Sequence, residues 1–518
     1  MTGIGVGEWL VLTSAAQHDL DRRAVAAGAT TEALMTSAGE SAAEVLLRHF
    51  TPRHAVLLAG RGGNGGDALV VARALAERGT DARVFALCGR GDLAPATAAM
   101  ADRFERVSPG RLAFLDKDLA PLREALDQAD LVVDGLLGSG LDRPLEGAHV
   151  EAVALVSSSQ RPVVSLDLPS GLPSDRGDLL GPAVKADLTI AMEFLKPAHL
   201  LYPARSLCGE IEVARVAYPS DLLRELVPLA RVLEREGARR LLPRRPPDGH
   251  KGTFGRVLVV AGSEGMSGAA ILSCRGALRA GAGLVVLASV GSVIATARAS
   301  LPEALTLALP ERRGHIAREA ITALFMETER ANALVLGPGL SRDPQVGEVV
   351  LALLEGSRCP IVLDAGGLFP LTGRLDLLCH VAGRAVLTPH PGEMSRLVGR
   401  SAEEIDQERI EVVRSFAREH GIVLLLKGRP TAIGLPDGEV YLNPTGNTGL
   451  AKGGSGDVLA GMMGGLLAGG ASPRDAALLG AYLHGLAANR LAHEGAERTI
   501  LPSDVVEALP RAVSEVER

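Results

Sequence analysis

Two glycine-rich segments of the sequence each run into an aspartate next to an apolar stretch. The first reads GRGGNGGD over residues 60–67, and the second reads NPTGNTGLAKGGSGD over residues 443–457. Glycines leave backbone N–H groups uncovered, and at a helix N-terminus such groups bind phosphate or pyrophosphate. We interpret both segments as candidate anion sites. The alternatives are a tight turn without a ligand for the first and a flexible loop for the second.

Asp457 stands at the end of the second segment, directly before an apolar run that begins at Val458. If a helix starts here, Asp457 lies in its first turn, beside the free N–H groups of the glycines. A carboxylate in that position can act as a base while the N–H groups stabilise a phosphoryl group in transfer. The alternative is that Asp457 only supplies a favourable negative charge to the helix N-terminus.

Two further segments begin with an aspartate at the predicted end of a strand. They read DGLLGSGLDRP over residues 134–144 and DLPSG over residues 167–171. In a doubly wound sheet the carboxyl ends of the strands converge on one crevice, so both segments can share a site with residues 60–67. The alternative is that Asp134 and Asp167 are only caps of turns or helices.

Alternating helix and strand patterns must position these segments, and they predict α/β architecture with parallel sheets. In the first half we predict helices over residues 14–26, 31–48 and 68–78, with strands over 55–59, 83–87, 131–134, 163–167 and 188–191. In the second half we predict strands over residues 256–261, 284–288, 333–336, 360–364, 385–387 and 422–426. The strand pattern stops over residues 218–250, and residues 239–247 are rich in arginine and proline, as is typical of a surface connection. We therefore predict two domains, 1–226 and 227–518.

Composition narrows the class of protein. Of 518 residues, 47% are hydrophobic and 22% are charged, which is enough apolar surface for folded domains. The net charge is −7 with both signs interspersed, and aromatic residues make up 3%, so a surface for nucleic acid is not expected. The apolar run over residues 458–470 is too short to span a bilayer, and we predict a buried helix there.

The cysteines favour a reducing compartment. The five of them are scattered without a C-x-x-C pair, which disfavours disulfides and a zinc cluster. Residues 1–10 have neither a basic region nor a long apolar region, so a signal peptide is not expected. We predict a cytoplasmic protein.

The first half resembles the NAD(P)H-hydrate epimerases over residues 10–217, through its GNGGD loop, its DGLLGSG segment and its DLPSG segment, in this order. The resemblance implies a Rossmann-like doubly wound domain with a potassium ion bound by Asn64, Asp134 and Ser170. Asp167 is then the candidate acid or base for the reversible loss and return of a hydroxyl at carbon 6 of the nicotinamide ring. The implied substrate contacts are Gly63, Asn64, Gly65, Gly66, Asp67, Gly138, Ser139, Gly140, Leu141, Asp142, Arg143, Pro144 and Asp167. Gly63 and Ala68 depart from the family, which usually has Asn and Gly there.

The second half resembles the ribokinase-like superfamily through its GSGD segment and, within it, the ADP-dependent NAD(P)H-hydrate dehydratases. The segments that carry this second resemblance are HKGTFG over 250–255, AGS over 261–263 with SGA over 267–269, GPG over 337–339, TPHPGE over 388–393 and KGRPT over 427–431. It covers residues 235–510 and implies a ribokinase-like α/β domain. The implied hydrate contacts are Ala269, Gly339, His390 and Asp457, and the implied nucleotide contacts are Lys427, Gly428, Arg429, Pro430, Thr431 and Gly456.

Together the resemblances imply one repair reaction in two parts. The epimerase interconverts the R and S forms of NADHX and NADPHX, the hydrated cofactors, and the dehydratase uses ADP to return the S form to NADH or NADPH, with AMP and phosphate as products. Mg²⁺ is expected with the nucleotide. The expected partners are these small molecules and further copies of the chain in a homo-oligomer, with no nucleic acid and no membrane. A ribokinase-like kinase for a small alcohol and a non-enzymatic nucleotide sensor are the rival functions.

Overall fold

The computed structural model describes residues 7–116 and 118–518. The expectation about residues 1–10 therefore falls partly outside the described residues. The described residues form two compact units: the first is Trp9–Leu229, and the second is Ala230–Arg518 together with Gly7 and Glu8. Within the described ranges, none of the helices is long and apolar enough to cross a membrane.

Strands and helices alternate up to residue 229. The strands are β1 (Glu8–Val11), β2 (His54–Ala59), β3 (Asp81–Ala86), β4 (Leu112–Phe114), β5 (Leu131–Gly135), β6 (Val163–Leu166), β7 (Leu188–Met192) and β8 (Glu210–Ala214). The helices are α1 (Ser14–Ala26), α2 (Thr31–His49), α3 (Gly63–Ala76), α4 (Pro95–Val107), α5 (Ala120–Gln128), α6 (Ala148–Ser158) and α7 (Ser220–Arg224).

The sheet of the first unit has the order β4-β3-β2-β5-β6-β7-β8, and every pairing is parallel. Successive residues of β2 point to opposite faces, and both faces are buried. Leu57 belongs to the core beneath α2, α3 and α4, whereas Leu58 belongs to the core on the side of α5 and α6. The chain reverses its direction of growth between β2 and β5, so the loops that follow these neighbouring strands flank a topological switch point.

The second unit is also an α/β structure. Its strands are β9 (Ala230–Leu233), β10 (Arg256–Val260), β11 (Leu284–Ser289), β12 (Leu305–Ala308), β13 (Glu311–Arg312), β14 (His315–Ile316), β15 (Ala333–Leu336), β16 (Ile361–Leu363), β17 (Ala385–Leu387), β18 (Val423–Leu426), β19 (Ala432–Gly434) and β20 (Val440–Leu442). Its helices are α8 (Arg235–Leu241), α9 (Ser267–Arg279), α10 (Gly291–Ser300), α11 (Ile321–Thr328), α12 (Pro344–Gly356), α13 (Pro391–Val398), α14 (Ala402–Gln407), α15 (Arg409–His420), α16 (Ser455–Ala468), α17 (Pro473–Glu494) and α18 (Pro502–Glu517). From residue 230 onward, the main sheet has the order β9-β20-β19-β18-β17-β16-β15-β10-β11-β12.

Helix α16 lies buried against α9, and glycines allow their backbones to approach closely. A Cβ atom at Gly461 would lie 1.9 Å from the carbonyl oxygen of Ser273, and one at Gly276 would lie 2.4 Å from that of Val458. No side chain larger than hydrogen fits at either position. The glycine content of the predicted buried helix thus serves packing, and this packing fixes the N-terminus of α16.

Two local predictions were wrong. Residues 230–233 and 235–241 form β9 and α8, although the segment 218–250 was expected to contain no strand. Helix α3 begins at Gly63 and not at Ala68, so Asn64 to Asp67 belong to the start of this helix and not to a loop. Glycine has a low helix propensity, but close tertiary contacts dominate here: a Cβ atom at Gly65 would lie 1.9 Å from the carbonyl oxygen of Gly60.

Candidate active sites in the two units

Asp134 is the fully buried centre of the candidate site in the first unit. Its carboxylate accepts hydrogen bonds from Ser165 Oγ at 2.8 Å, from Ser170 Oγ at 2.6 Å and from the Ser170 backbone N–H at 2.8 Å. Burial raises the pKa of Asp134, and the hydrogen bonds from Ser170 and Ser165 oppose that rise. The ends of β5 and β6 are adjacent in the sheet, which explains why the two loops meet at this carboxylate.

Asn64 brings the first turn of α3 to the same place. Its Nδ2 group donates to the carbonyl oxygen of Leu137 at 3.0 Å. Its Oδ1 atom is buried and has no hydrogen-bond partner among the described residues. An unpaired buried amide oxygen is costly, so this atom marks a position where a ligand is expected.

Asp167 follows β6 with a φ angle of +59°, a left-handed conformation that is rare for a residue with a side chain. Its Oδ2 atom accepts from the Ser139 N–H at 3.1 Å. A Cβ atom at Gly138 would lie 3.0 Å from Oδ2 of Asp167 and 3.3 Å from Cβ of Asn64. The structure therefore brings the three predicted segments together around Asn64, Gly138 and Asp167.

The other predicted substrate contacts vary in exposure. Gly65 and Gly66 are buried, Gly63 is exposed, and Asp67 is only partly accessible. Burial raises the pKa of Asp67 well above its usual range, and the negative charges of Asp167 and Asp21 add to this rise. The loop after β5 leaves Gly140, Asp142, Arg143 and Pro144 exposed, with Ser139 and Leu141 partly covered. This exposed loop is free to contact a ligand.

Two residues of this site were missed by the sequence analysis. Lys196 is fully buried, and its Nζ atom lies 2.9 Å from Asp167 Oδ1. The His199 ring lies 2.7 Å from the carbonyl oxygen of Asp167 through Nε2. Burial disfavours the charged form of Asp167, but Lys196 outweighs this effect and the pKa of Asp167 is lowered. A lysine within the apolar run EFLKPAHLL was the available signal.

Asp457 of the second unit lies in the first turn of α16, as predicted. Gly454, three residues before Asp457, has a φ of +100°, and this left-handed conformation turns the chain into the helix. Burial and the nearby negative charge of Asp364 raise the pKa of Asp457 to about 6, although Lys427 lowers it. A carboxylate with this pKa can accept a proton near neutral pH.

A cluster of charged groups lies beside Asp457. Lys427 Nζ donates to Asp364 Oδ1 at 2.8 Å and lies 3.8 Å from Glu393 Oε2. Thr388 Oγ1 also donates to Asp364 Oδ1 at 2.8 Å. Burial disfavours the ammonium group, but Asp364 and Glu393 outweigh burial and raise the pKa of Lys427. Asp364 was predicted only as the end of a strand, and Glu393 only as part of a motif.

His390, an implied hydrate contact, is the N-cap of α13. Its Nδ1 atom accepts from the Gly392 and Glu393 N–H groups at 3.0 and 3.3 Å. About half of the side chain stays exposed, and Nε2 lies 3.6 Å from Glu393 Oε1. The capping role explains its fixed pose, and the exposed edge of the ring remains available to a ligand.

The remaining predicted positions form two groups. Gly339 packs on Ala269, since a Cβ atom at Gly339 would lie 2.9 Å from Cβ of Ala269. Gly456 lies beside the charged cluster, where its Cβ atom would be 3.3 Å from Lys427 Nζ. Of the segment 427–431, Lys427 contacts the carboxylates directly. Pro430 instead accepts a hydrogen bond from the buried Arg409, and Gly428, Arg429 and Thr431 lie partly or fully exposed.

Two buried groups behind the N-terminus of α16 were also missed. Burial lowers the pKa of His484 to about 4, so this ring is neutral. His484 Nε2 and Ser455 Oγ are both buried without a hydrogen-bond partner within the described parts of the chain. These unpaired groups add buried polar atoms at the N-terminus of α16.

Comparison with known families covers both units. Residues 31–198 match the family model described as YjeF-related protein N-terminus, and residues 257–511 match the model described as NAD(P)H-hydrate dehydratase. A Bacillus subtilis ADP/ATP-dependent NAD(P)H-hydrate dehydratase, co-crystallised with ATP and Mg²⁺, is 35% identical with a TM-score of 0.47; the match covers 55% of this chain and 97% of that one.

Full-length relatives match the chain as a whole. It is 39% identical over 491 residues to the bifunctional NAD(P)H-hydrate repair enzyme of Moorella thermoacetica, covering 93% of this chain and 92% of that protein. It is 33% identical over 488 residues to the corresponding enzyme of Escherichia coli, covering 94% and 90%. The predicted fold class is confirmed, with a Rossmann-like first unit and a ribokinase-like second unit. The chain therefore belongs to the family of bifunctional NAD(P)H-hydrate repair enzymes.

Proposed function

We propose that this protein repairs hydrated nicotinamide cofactors with one reaction in each unit. The first unit interconverts the R and S forms of NADHX and NADPHX, and the second dehydrates the S form at the expense of ADP. The observation that carries this proposal is the presence of a separate aspartate-centred site in each unit of a chain that aligns with bifunctional relatives over nearly their full length. We assign the epimerase to residues 1–226 and the dehydratase to residues 227–518.

In the first unit, Asp167 is the proposed acid and base. Loss of the hydroxyl from carbon 6 requires a proton on the leaving oxygen, and the lone pair of ring nitrogen 1 then forms a double bond to carbon 6. Carbon 6 becomes planar, so water can return to either face and give either epimer. The closeness of Gly138 to the Asp167 carboxylate supports substrate access at this position. The exposed loop over residues 138–144 is proposed to contact the rest of the substrate.

Potassium is the proposed ion of the first site. Asn64 Oδ1 is an orphaned buried oxygen, and the carboxylate of Asp134 and the polar groups of Ser170 lie in the loops beside it. Such an all-oxygen donor set suits a hard cation. A bound potassium ion would supply positive charge that holds these loops and orients the substrate. Soaking crystals with thallium should give an anomalous peak beside Asn64 Oδ1, and Asn64→Ala should remove it.

In the second unit, Asp457 is the proposed base for the carbon 6 hydroxyl. The resulting oxygen attacks the terminal phosphorus of ADP, AMP leaves, and the N–H groups at the start of α16 stabilise the phosphoryl charge. The lone pair of nitrogen 1 then expels phosphate, and loss of a proton from carbon 5 to water gives NADH or NADPH. The proposed hydrate contacts are Ala269, Gly339, His390 and Asp457, and the proposed nucleotide contacts are Lys427, Gly428, Arg429, Pro430, Thr431 and Gly456.

Magnesium is proposed to enter with the nucleotide phosphates. Asp364 and Glu393 are the nearby carboxylates, but both bind Lys427, and Asp364 also binds Thr388. They do not form a preformed all-protein cage, which agrees with the preference of Mg²⁺ for substrate phosphates and water. Bound to the nucleotide, Mg²⁺ would neutralise part of the phosphate charge.

The experiment that tests this function supplies NADHX and ADP and follows the absorbance of reduced nicotinamide together with AMP. We expect NADH and AMP in equal amounts. A phosphorylated product that persists in place of NADH would favour the rival kinase function, and binding without turnover would favour a nucleotide sensor.

We further propose that the protein is a cytoplasmic homo-oligomer. Its five free cysteines agree with a reducing compartment. Light scattering of the purified chain tests the oligomeric state.

A further inference from the structure

Lys196 makes a buried ion pair with the candidate acid and base of the first unit. Its side chain is fully buried, and Nζ lies 2.9 Å from Asp167 Oδ1 and 3.3 Å from the carbonyl oxygen of Phe194. A buried ammonium group is costly to desolvate, and a pair of hydrophobic residues would often serve stability as well. The pair therefore calls for a role other than stability.

His199 fixes the backbone of the same aspartate. The Lys196 N–H donates to His199 Nδ1 at 2.9 Å, so Nδ1 is the acceptor and the ring proton is on Nε2. That Nε2–H group donates to the carbonyl oxygen of Asp167 at 2.7 Å. Burial lowers the pKa of His199 to about 4, so the ring stays neutral at physiological pH. His199 thereby holds Asp167 in its left-handed conformation and leaves Lys196 as the cation of the trio.

We propose that Lys196 is a positioning residue that acts through Asp167, by orienting its carboxylate and by exchanging a proton with it during epimerisation. This inference rests on the proposed epimerase function. When the hydroxyl leaves, a proton moves from Lys196 Nζ to the Asp167 carboxylate and from there to the hydroxyl oxygen. The carbon 6 to oxygen bond breaks, the nitrogen 1 to carbon 6 double bond forms, and water departs. When water returns to the other face, its proton passes to Asp167 and the Lys196 amine becomes an ammonium group again.

Other charged groups lie near this pair, and their effects on the epimerisation rate must be distinguished from the effect of Lys196. Asp67 of α3 and Asp21 of α1 both sense the charge of Asp167, and Asp21 also senses Lys196. Tyr218 donates a hydrogen bond to Asp21 at 2.5 Å. Burial raises the pKa of both Asp67 and Asp21, and Asp67 is among the implied substrate contacts, so Asp67→Asn belongs in the experiment.

The test measures the interconversion of R and S NADHX by chromatography without ADP, across pH 5–10, with the spontaneous rate subtracted. The pH–rate profile of the full-length wild type should differ from that of Lys196→Met, which lacks the group that exchanges the proton. Lys196→Met should lower the rate by ~10²–10⁴. The same change at the exposed Lys185 should leave it unaltered. Lys196→Arg keeps the positive charge but cannot release a proton, and it should also be slow.

Several results would overturn the inference. They are a Lys196→Met or Lys196→Arg variant as fast as the wild type, and a pH–rate profile that changes in Asp67→Asn but not in Lys196→Met. If Lys196→Met does not fold, as judged by its thermal unfolding, the arginine variant, which keeps the buried charge, still decides. A wild type that cannot interconvert the epimers would instead contradict the proposed function.

Discussion

Lys427 Nζ donates to Oδ1 of Asp364 at 2.8 Å, and this ion pair adjoins the candidate base of the second unit. The two partners act on Asp457 in opposite directions, because Asp364 raises its pKa and Lys427 lowers it. Burial is the larger cause, and the net result is a carboxyl group with a pKa of about 6. The candidate base is thus ionised at neutral pH but still binds a proton readily.

The pH dependence of dehydration follows from this value. Asp457 must be ionised to accept a proton, so kcat/KM for the S hydrate should be halved near pH 6 and fall about tenfold for each pH unit below that. Initial rates of NADH formation at saturating ADP, corrected for acid decomposition of the substrate, provide the measurement. A constant kcat/KM down to pH 4.5 would exclude Asp457 as the base.

Removal of the Lys427 charge should shift the acid limb of the pH profile, which is the low-pH range over which kcat/KM falls. Without the ammonium group, Asp364 and Glu393 act on Asp457 unopposed, so in Lys427→Met the limb should shift to higher pH by about one unit. Lys427→Arg retains the charge and serves as the matched control, with the limb close to that of the wild type. If the methionine variant kept the wild-type profile, the electrostatic account of this cluster would be wrong.

The ionised form of Asp457 should also lower the free energy of unfolding of the second unit. Its pKa of about 6 in the folded state exceeds the ordinary value of 3.8, so the folded state binds the proton more tightly than the unfolded state. Stability is therefore lost as the pH rises from about 4 to 6, and Asp457→Asn should raise Tm at pH 7.5 but not at pH 4. The control is Asp376→Asn at an exposed position of the same unit, which should change Tm little. Equal Tm values for wild type and Asp457→Asn at pH 7.5 would contradict the raised pKa.

The two departures from the epimerase pattern should behave differently. A Cβ atom at Gly63 meets no other atom within 4 Å, so Gly63→Asn should be tolerated and should raise the epimerisation rate about two- to tenfold if the amide gains one hydrogen bond. Ala68 is fully buried and packs on Gly135, so Ala68→Gly should lower the free energy of unfolding by about 1–2 kcal/mol without raising the rate. Urea unfolding and epimer chromatography measure the two effects. A faster Ala68→Gly variant would show that this methyl group obstructs the substrate.

Much of the fold could be predicted from the sequence because strand and helix patterns alternate cleanly. The ends of β2, β5 and β6 were predicted within two residues, and their convergence brings Asn64, Asp134 and Asp167 together. The start of α3 was predicted too late, since propensity rules penalise glycine in a helix. Here Gly65 must be glycine because the carbonyl oxygen of Gly60 occupies the space of a side chain.

The partners of the two aspartates could not be predicted from local patterns. Lys196 lies 29 residues beyond Asp167, and only the parallel pairing of β6 with β7 brings them together. Asp364 lies 63 residues before Lys427, in a strand-end position like that of Asp167. Contacts between loops of different strands depend on register and loop path, which a single sequence does not specify.

Separate sites for the two reactions are the central claim, and a mixture of the two epimers tests it most directly. Wild-type protein with ADP and a mixture of R and S NADHX should convert both forms completely to NADH. Asp167→Asn should produce a fast phase that stops when the S form is spent, and Asp457→Asn should form no NADH while the epimers still interconvert. Loss of an acid or base commonly costs ~10²–10⁴ in rate, so chromatography of the epimers will resolve these outcomes. Complete repair by Asp167→Asn at the wild-type rate would contradict the claim.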